Sequence, residues 1–151
     1  MDHQILRPTI TLSASPDYSA NDVVGGIITL TSVAARDADE VVLRSVVLKD
    51  AGGQAPALTL LFFRATPSGG TYTDNAALVW GSGDLGNLVG SVQVLAADWL
   101  TRVGKSMVSI GGIEQVVGAA ATDLFLLIVA DATWNAAATT DLSIEIGFSR
   151  R

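Results

Sequence analysis

Side chains that can hold a proton, an electron pair or a metal are scarce in this sequence: it has one histidine, His3, and no cysteine. His3 sits beside the amino terminus, where chains are commonly poorly ordered, whereas the base of a catalytic triad must be held by a third group. Its expected role is that of a terminal bystander. The glutamates are Glu40, Glu114 and Glu145. A glycosidase needs two carboxylates at a set separation in a cleft, but Glu145 falls on the polar face of an alternating stretch and Glu40 follows an acidic turn. Both read as solvated, and Glu114 alone makes no pair. No catalytic residue and no enzyme activity are predicted.

Oxygen ligands are the remaining route to a metal. Asp74 with Asn75, Asp84 with Asn87, and the group Asp17, Asn21 and Asp22 are of the kind that supplies calcium ligands in some β-proteins. None has the EF-hand spacing, and each fits a turn stabilised by Asx hydrogen bonds, so neither metal nor cofactor is expected. Gly25-Gly26 and Gly111-Gly112 lack the Lys-Ser or Lys-Thr ending and the helix of a phosphate loop; they read as strand breaks or bulges. Trp80, Trp99, Trp134, Tyr18 and Tyr72 raise the option of a sugar-stacking platform. Trp80 ends a hydrophobic run, however, and Trp99 neighbours Leu95 and Leu100, so core or interface anchoring is expected. Trp134 lies in the polar, alanine-rich stretch 131–140 and is predicted to be an exposed contact residue.

The elements that must position these residues are strands. Stretches rich in Val, Ile, Leu, Thr and Phe recur between clusters of Gly, Pro, Asn, Asp and Ser, predicting strands near 5–12, 23–33, 41–49, 57–64, 76–80, 89–95, 106–110, 113–118, 123–130 and 141–149. The last alternates cleanly, with Leu142, Ile144, Ile146 and Phe148 on one face, the pattern of a half-buried strand. Residues 123–131 are apolar on both faces, which predicts a central strand covered on one side by the core and on the other by a partner or loop. Short helical turns are expected from Asp84, as N-cap, to about Leu88, and over 97–100. Many short strands with little helix imply an all-β fold, a β-sandwich, with the jelly roll preferred for its strong terminal strands and connections of mixed length.

The chain has 151 residues, of which 49% are hydrophobic and only 16% charged, at a formal net charge of −6. With glycine included, the apolar share reaches roughly 59%, against about 45–50% for ordinary soluble domains. One domain spanning 1–151 is expected, with residues 1–4 flexible. Without cysteine the fold rests on packing and backbone pairing, as suits a reducing cytoplasm. The first thirty residues show no basic region followed by an apolar block, so no signal peptide is expected. The run 124–130 is too short to span a bilayer as a helix. Nine Lys and Arg scattered among fifteen acids argue against nucleic-acid binding. The apolar excess instead points to burial against copies of the chain, most simply a trimer, or against a larger scaffold. The residues singled out for that contact are Tyr18, Leu126, Ile128 and Trp134.

Three strings carry a resemblance: YSANDVVGG from Tyr18, TYTDNAALVW from Thr71 followed by GDLGNLVG, and TTDLSIEIGFSR from Thr139. They resemble segments of small virion proteins of tailed bacteriophages. None is a catalytic signature, and no functional residue carries over. The resemblance implies a capsid decoration or cement protein, commonly trimeric, that binds the major capsid protein on the outer surface of the head and is assembled in the host cytoplasm. A tail or fibre-associated component and a carbohydrate-binding module on the virion surface are the alternatives.

Overall fold

The computed structural model describes residues 2–36 and 39–150. The strands are β1 (His3–Leu6), β2 (Val23–Leu30), β3 (Glu40–Asp50), β4 (Leu58–Phe63), β5 (Leu88–Val94), β6 (Leu100–Arg102), β7 (Lys105–Ile110), β8 (Gln115–Gly118), β9 (Leu124–Ala130) and β10 (Leu142–Arg150). The helical content among the described residues is two 3-10 turns, Asp84–Asn87 and Ala96–Asp98. The first falls where the sequence placed it; the second, expected over 97–100, ends at Asp98 and gives way to β6 at Leu100. Gly83, not Asp84, takes the N-cap position.

Two antiparallel sheets stack into a β-sandwich. One has the order β1-β10-β3-β7-β6, with β8 also pairing with β3, and the other is β2-β9-β4-β5. Strand β7 pairs with Val46–Asp50 of β3 and β8 with Glu40–Leu43, so β7 and β8 act as one strand broken at Gly112 and Glu114, both at positive φ. With that element counted once, the chain alternates between sheets everywhere except at the β4–β5 and β6–β7 hairpins. The first strand ends beside the last, and β2 beside β9. This is the jelly-roll order of two interlocked Greek keys, established by hydrogen-bonded pairing.

The sequence explains the pairing. In β10, Leu142, Ile144, Ile146 and Phe148 are all buried, as the alternation required, and they share one core cluster with Leu124, Leu126 and Ile128 of β9 in the opposite sheet. The register of β2 against β9 shifts between Val24 and Ile28, where Gly25 and Gly26 take φ of 78° and 72°. Only glycine adopts that backbone freely, so the Gly-Gly pair is a bulge.

Three expectations need correction. The segment predicted as one strand over 5–12 pairs only through Leu6; beyond it the chain is an arm that plugs buried Ile10 and Leu12 into the core. The amino terminus is not loose from His3 onward, because His3 and Gln4 pair with Ser149 and Phe148; Met1 lies outside the described residues. Residues 76–80 form no strand, and make single bridges from Ala77 to Asp22 and from Val79 to Thr71. They belong to an excursion over 64–87 that folds back across β9. Its Tyr72 and Leu78 pack with Phe125, Leu127 and Val129 of β9, together with Val23, Leu61 and Phe63, in a second, smaller cluster. The two-faced strand is thus covered on its outer side by the chain itself.

Candidate functional site

Three of the aspartates singled out from the sequence, Asp22, Asp74 and Asp84, accept hydrogen bonds from their own chain. Asp74 Oδ1 accepts from the Tyr18 hydroxyl at 2.7 Å and from the Gly25 N–H at 2.7 Å. Asp84, buried at 3% exposure, accepts from the Ser68 N–H at 3.0 Å and from the Tyr72 hydroxyl. That hydroxyl in turn accepts from the Gly81 N–H at 2.7 Å. Asp22 accepts from Ser19 N–H at 2.7 Å. These are loop staples, with their oxygens already directed at protein donors. Among the described residues no group of three or more His, Asp or Glu is placed to hold a metal ion. Burial, first, and the hydrogen bond to Asp74 raise the Tyr18 phenol well above its ordinary pKa. Burial, first, and the hydrogen bond to Asp84 also raise the Tyr72 phenol. Both rings are therefore neutral donors at physiological pH.

His3 has a partner the sequence did not reveal: its Nδ1 lies 3.0 Å from Ser149 Oγ, to which Arg44 Nε donates at 2.9 Å. A histidine beside a serine is the start of a nucleophilic pair. Ser149, however, is completely buried, leaving no room for a carbonyl to approach, so the contact pins β1 to β10. Glu145 is flanked by Arg7 at 3.1 Å and Lys49 at 3.6 Å; the Arg7 hydrogen bond chiefly holds its carboxyl below the usual range. Glu114 pairs with Arg44.

The residues expected at an interface lie elsewhere than on the surface. Leu126 and Ile128 point into the sandwich and are fully buried. Trp134, expected to be exposed, is 3% accessible and stacks on Tyr18, ring centroids 5.2 Å apart and planes 17° from parallel. Backbone bonds Tyr18 N–H to Trp134 O (2.8 Å) and Trp134 N–H to Tyr18 O (2.9 Å) lock the pair. The polar composition of 131–140 misled because the aromatic partner is more than a hundred residues away. Trp99 is buried with Nε1 donating to Pro56 O at 2.9 Å, and Tyr72 is buried; of the five Trp and Tyr rings only Trp80 is exposed, tilted against Phe63 at 6.0 Å. One exposed ring is not a stacking platform.

What the surface does offer is the β6–β7 edge of the larger sheet. Leu100 is 53% exposed, Met107 43% and Val103 100%; Leu100 and Met107 are cross-strand partners. They adjoin a cavity of about 490 Å³ lined also by Lys49, Asp50, Arg102, Lys105 and Asp141. The sequence reading missed this edge, having placed a helical turn over 97–100 and a strand only from 106. The available signal was Val103-Gly104, an X-Gly pair of the sort that closes a two-residue hairpin.

No protein-family model matches the chain, and no curated protein matches it in sequence. Among solved structures, a chain of the structure of infectious bursal disease virus Gx strain is similar over 97% of this chain and 31% of its own, at 15% identity and TM-score 0.44. The KBV activated particle at acidic pH covers 99% and 69%, at 10% identity and TM-score 0.40. The EclA C-terminal domain, a sugar-binding protein, covers 99% and 79%, at 10% identity and TM-score 0.37. The chain thus spans less than a third of the first of these. Likenesses this loose assign neither partner nor activity, and the jelly roll stands on strand order alone.

Proposed function

We propose that the chain is a structural virion component that decorates the outer surface of a phage head, contacts the major capsid protein and reinforces the shell without chemistry. The observation that carries this reading is the placement of polar and apolar groups. Asp22, Asp74 and Asp84, which sequence pattern offered as metal ligands, staple loops, while Leu100, Val103 and Met107 stand exposed together at one sheet edge. A binding module needs this distribution and an enzyme does not.

The three strings that resemble phage virion proteins agree with it. YSANDVVGG covers the Tyr18 stack and the β2 bulge, TYTDNAALVW and GDLGNLVG cover the excursion over β9, and TTDLSIEIGFSR is β10 with its approach. They coincide with features that hold the fold, which favours a shared scaffold over a shared active site.

Cryo-electron microscopy of the virion containing this chain tests the assignment. Density for the jelly roll at lattice positions on the outer shell is the expected result. Density confined to a tail vertex or fibre would replace decoration with the tail-component reading.

A further inference from the structure

The outward face of the larger sheet carries a cross-strand row near one end of the sandwich. Ser143, Lys49, Met107 and Leu100 are successive partners across β10, β3, β7 and β6. Residues two positions apart on a strand share a face, so Ala51, Lys105 and Arg102 make the next row. Lys105 is the partner of Arg102, and the Ala51 N–H donates to Asp141 O at 2.8 Å. Leu48, Val108 and Leu142 turn the other way, into the core. The two outward rows line the cavity of about 490 Å³.

Charge on this face is lopsided. The chain has two lysines, Lys49 and Lys105, and both line the cavity together with Arg102. Arg102 donates to Thr101 O at 2.9 Å and Lys105 to Ala51 O at 2.7 Å. Lys49 stands 3.6 Å from Glu145, a carboxylate that Arg7 already holds at 3.1 Å. An ammonium carries three donors and a guanidinium five, so most of these donors remain for a ligand. The two acids of the lining are engaged by their own loops. Buried Asp50 accepts from the N–H groups of Gly52 (2.9 Å), Gln54 (2.6 Å) and Ala55 (3.0 Å), and Asp141 Oδ2 accepts from the Ala138 N–H at 3.0 Å. These staples also fix the cations: Gly53 comes so close that a Cβ there would stand 2.5 Å from Gly104 O.

We infer that this face docks an acidic segment of a second protein, which sets an aliphatic side chain on Leu100 and Met107 and flanking carboxylates against Lys49, Lys105 and Arg102. Charge complementarity selects the occupant. A chain of net charge −6 that gathers both its lysines and an arginine around one cavity attracts an anionic partner and repels a cationic one. Its exposed apolar floor selects an anion attached to carbon: burying Leu100 and Met107 contributes only if the ligand brings apolar surface of its own. Polyphosphate has none to bring, and a second copy would set the same three cations against themselves. Carboxylates reaching an ammonium or guanidinium form charge-assisted hydrogen bonds, which fix the segment's register. This inference rests on the binding-module reading and states the chemistry that its contact on the shell must have.

Amide NMR titration of the full chain with three synthetic peptides tests it. Glu-Leu-Asp-Leu-Glu carries both features, Gln-Leu-Asn-Leu-Gln lacks the charge, and Glu-Ser-Asp-Ser-Glu lacks the apolar side chains. The first should give saturable shifts at Lys49, Leu100, Arg102, Lys105 and Met107, and the other two should bind about tenfold more weakly or worse. Lys49→Glu, Arg102→Glu and Leu100→Ser, all at exposed positions, should leave the thermal midpoint unchanged and weaken the first peptide by about tenfold or more. Added to virions stripped of this protein, the wild type should rebind and the three variants should not. A wild type that fails to rebind, while the acidic peptide still saturates this face, would remove decoration and leave the docking site standing. Three peptides that bind equally, no saturable shift at this face, or variants that rebind as well as the wild type would overturn the proposal. Co-sedimentation with phosphatidylglycerol vesicles, without any response to the peptides, would also overturn it and point to a membrane surface.

Discussion

The side chains that define this molecule at the smallest scale are tyrosines donating to aspartates. Tyr72 and Tyr18 have raised pKa values, so the native state holds them protonated while an unfolded chain ionises them near their ordinary value of about 10. Their contribution to stability is complete below about pH 10 and is lost as pH rises beyond it toward the folded-state values. Urea midpoints should therefore be flat through neutral pH and drop on the alkaline side. Tyr72→Phe should cost about 1–3 kcal/mol, since it leaves buried Asp84 short of a donor, and should reduce the alkaline drop; an unchanged pH profile would show that the drop has another source. Phe148→Ala should cost about 3–5 kcal/mol, as for a fully buried aromatic, and a loss below about 1 kcal/mol would contradict its place in the core. Phe148 was legible from alternation alone. The burial of Trp134 was not, because its stacking partner Tyr18 arrives through a fold-level contact that no local pattern encodes.

At the scale of elements, the instructive case is β9. Its double-sided apolar run announced a central strand, and β9 does sit between β2 and β4. Pattern alone left the occupant of its outer face open between a loop and a partner; the occupant is the 64–87 excursion. This removes one reason for expecting a trimer, since neither face of β9 needs a second chain. The excursion depends on close backbone approaches: a Cβ on Gly81 would collide with Ser68 O and with the Asp84 carboxylate. Gly81→Ala should destabilise by about 1–3 kcal/mol, the usual cost of overpacking, and should increase binding of a hydrophobic dye as the excursion lifts from Phe125, Leu127 and Val129. Native-state hydrogen exchange should find excursion amides opening at lower free energy than those of β9. Equal protection would mean that cover and sandwich unfold as one unit. Strand positions were legible where alternation was strong, as in β10, and failed at β6, where only three residues, all exposed, pair with β7.

For the whole molecule, topology and surface together yield a rigid β-sandwich with an apolar edge. The jelly roll was reachable from strand spacing, but its strand order was not, since order is a property of non-local pairing. The fold hosts capsid proteins and lectins alike, so the argument for decoration lies in the distribution of side chains and in the three resembling strings. A ligand bound only to the assembled shell stabilises it in proportion to the logarithm of its occupancy. Heat challenge of virions stripped of this protein, before and after replenishing it, measures that effect directly. The account predicts that stripped particles retain their DNA at low temperature, release it at a lower temperature than complete ones, and recover their resistance when the protein is restored. Stripped particles equally resistant to heat but unable to attach to cells would contradict it and identify an adhesion module instead.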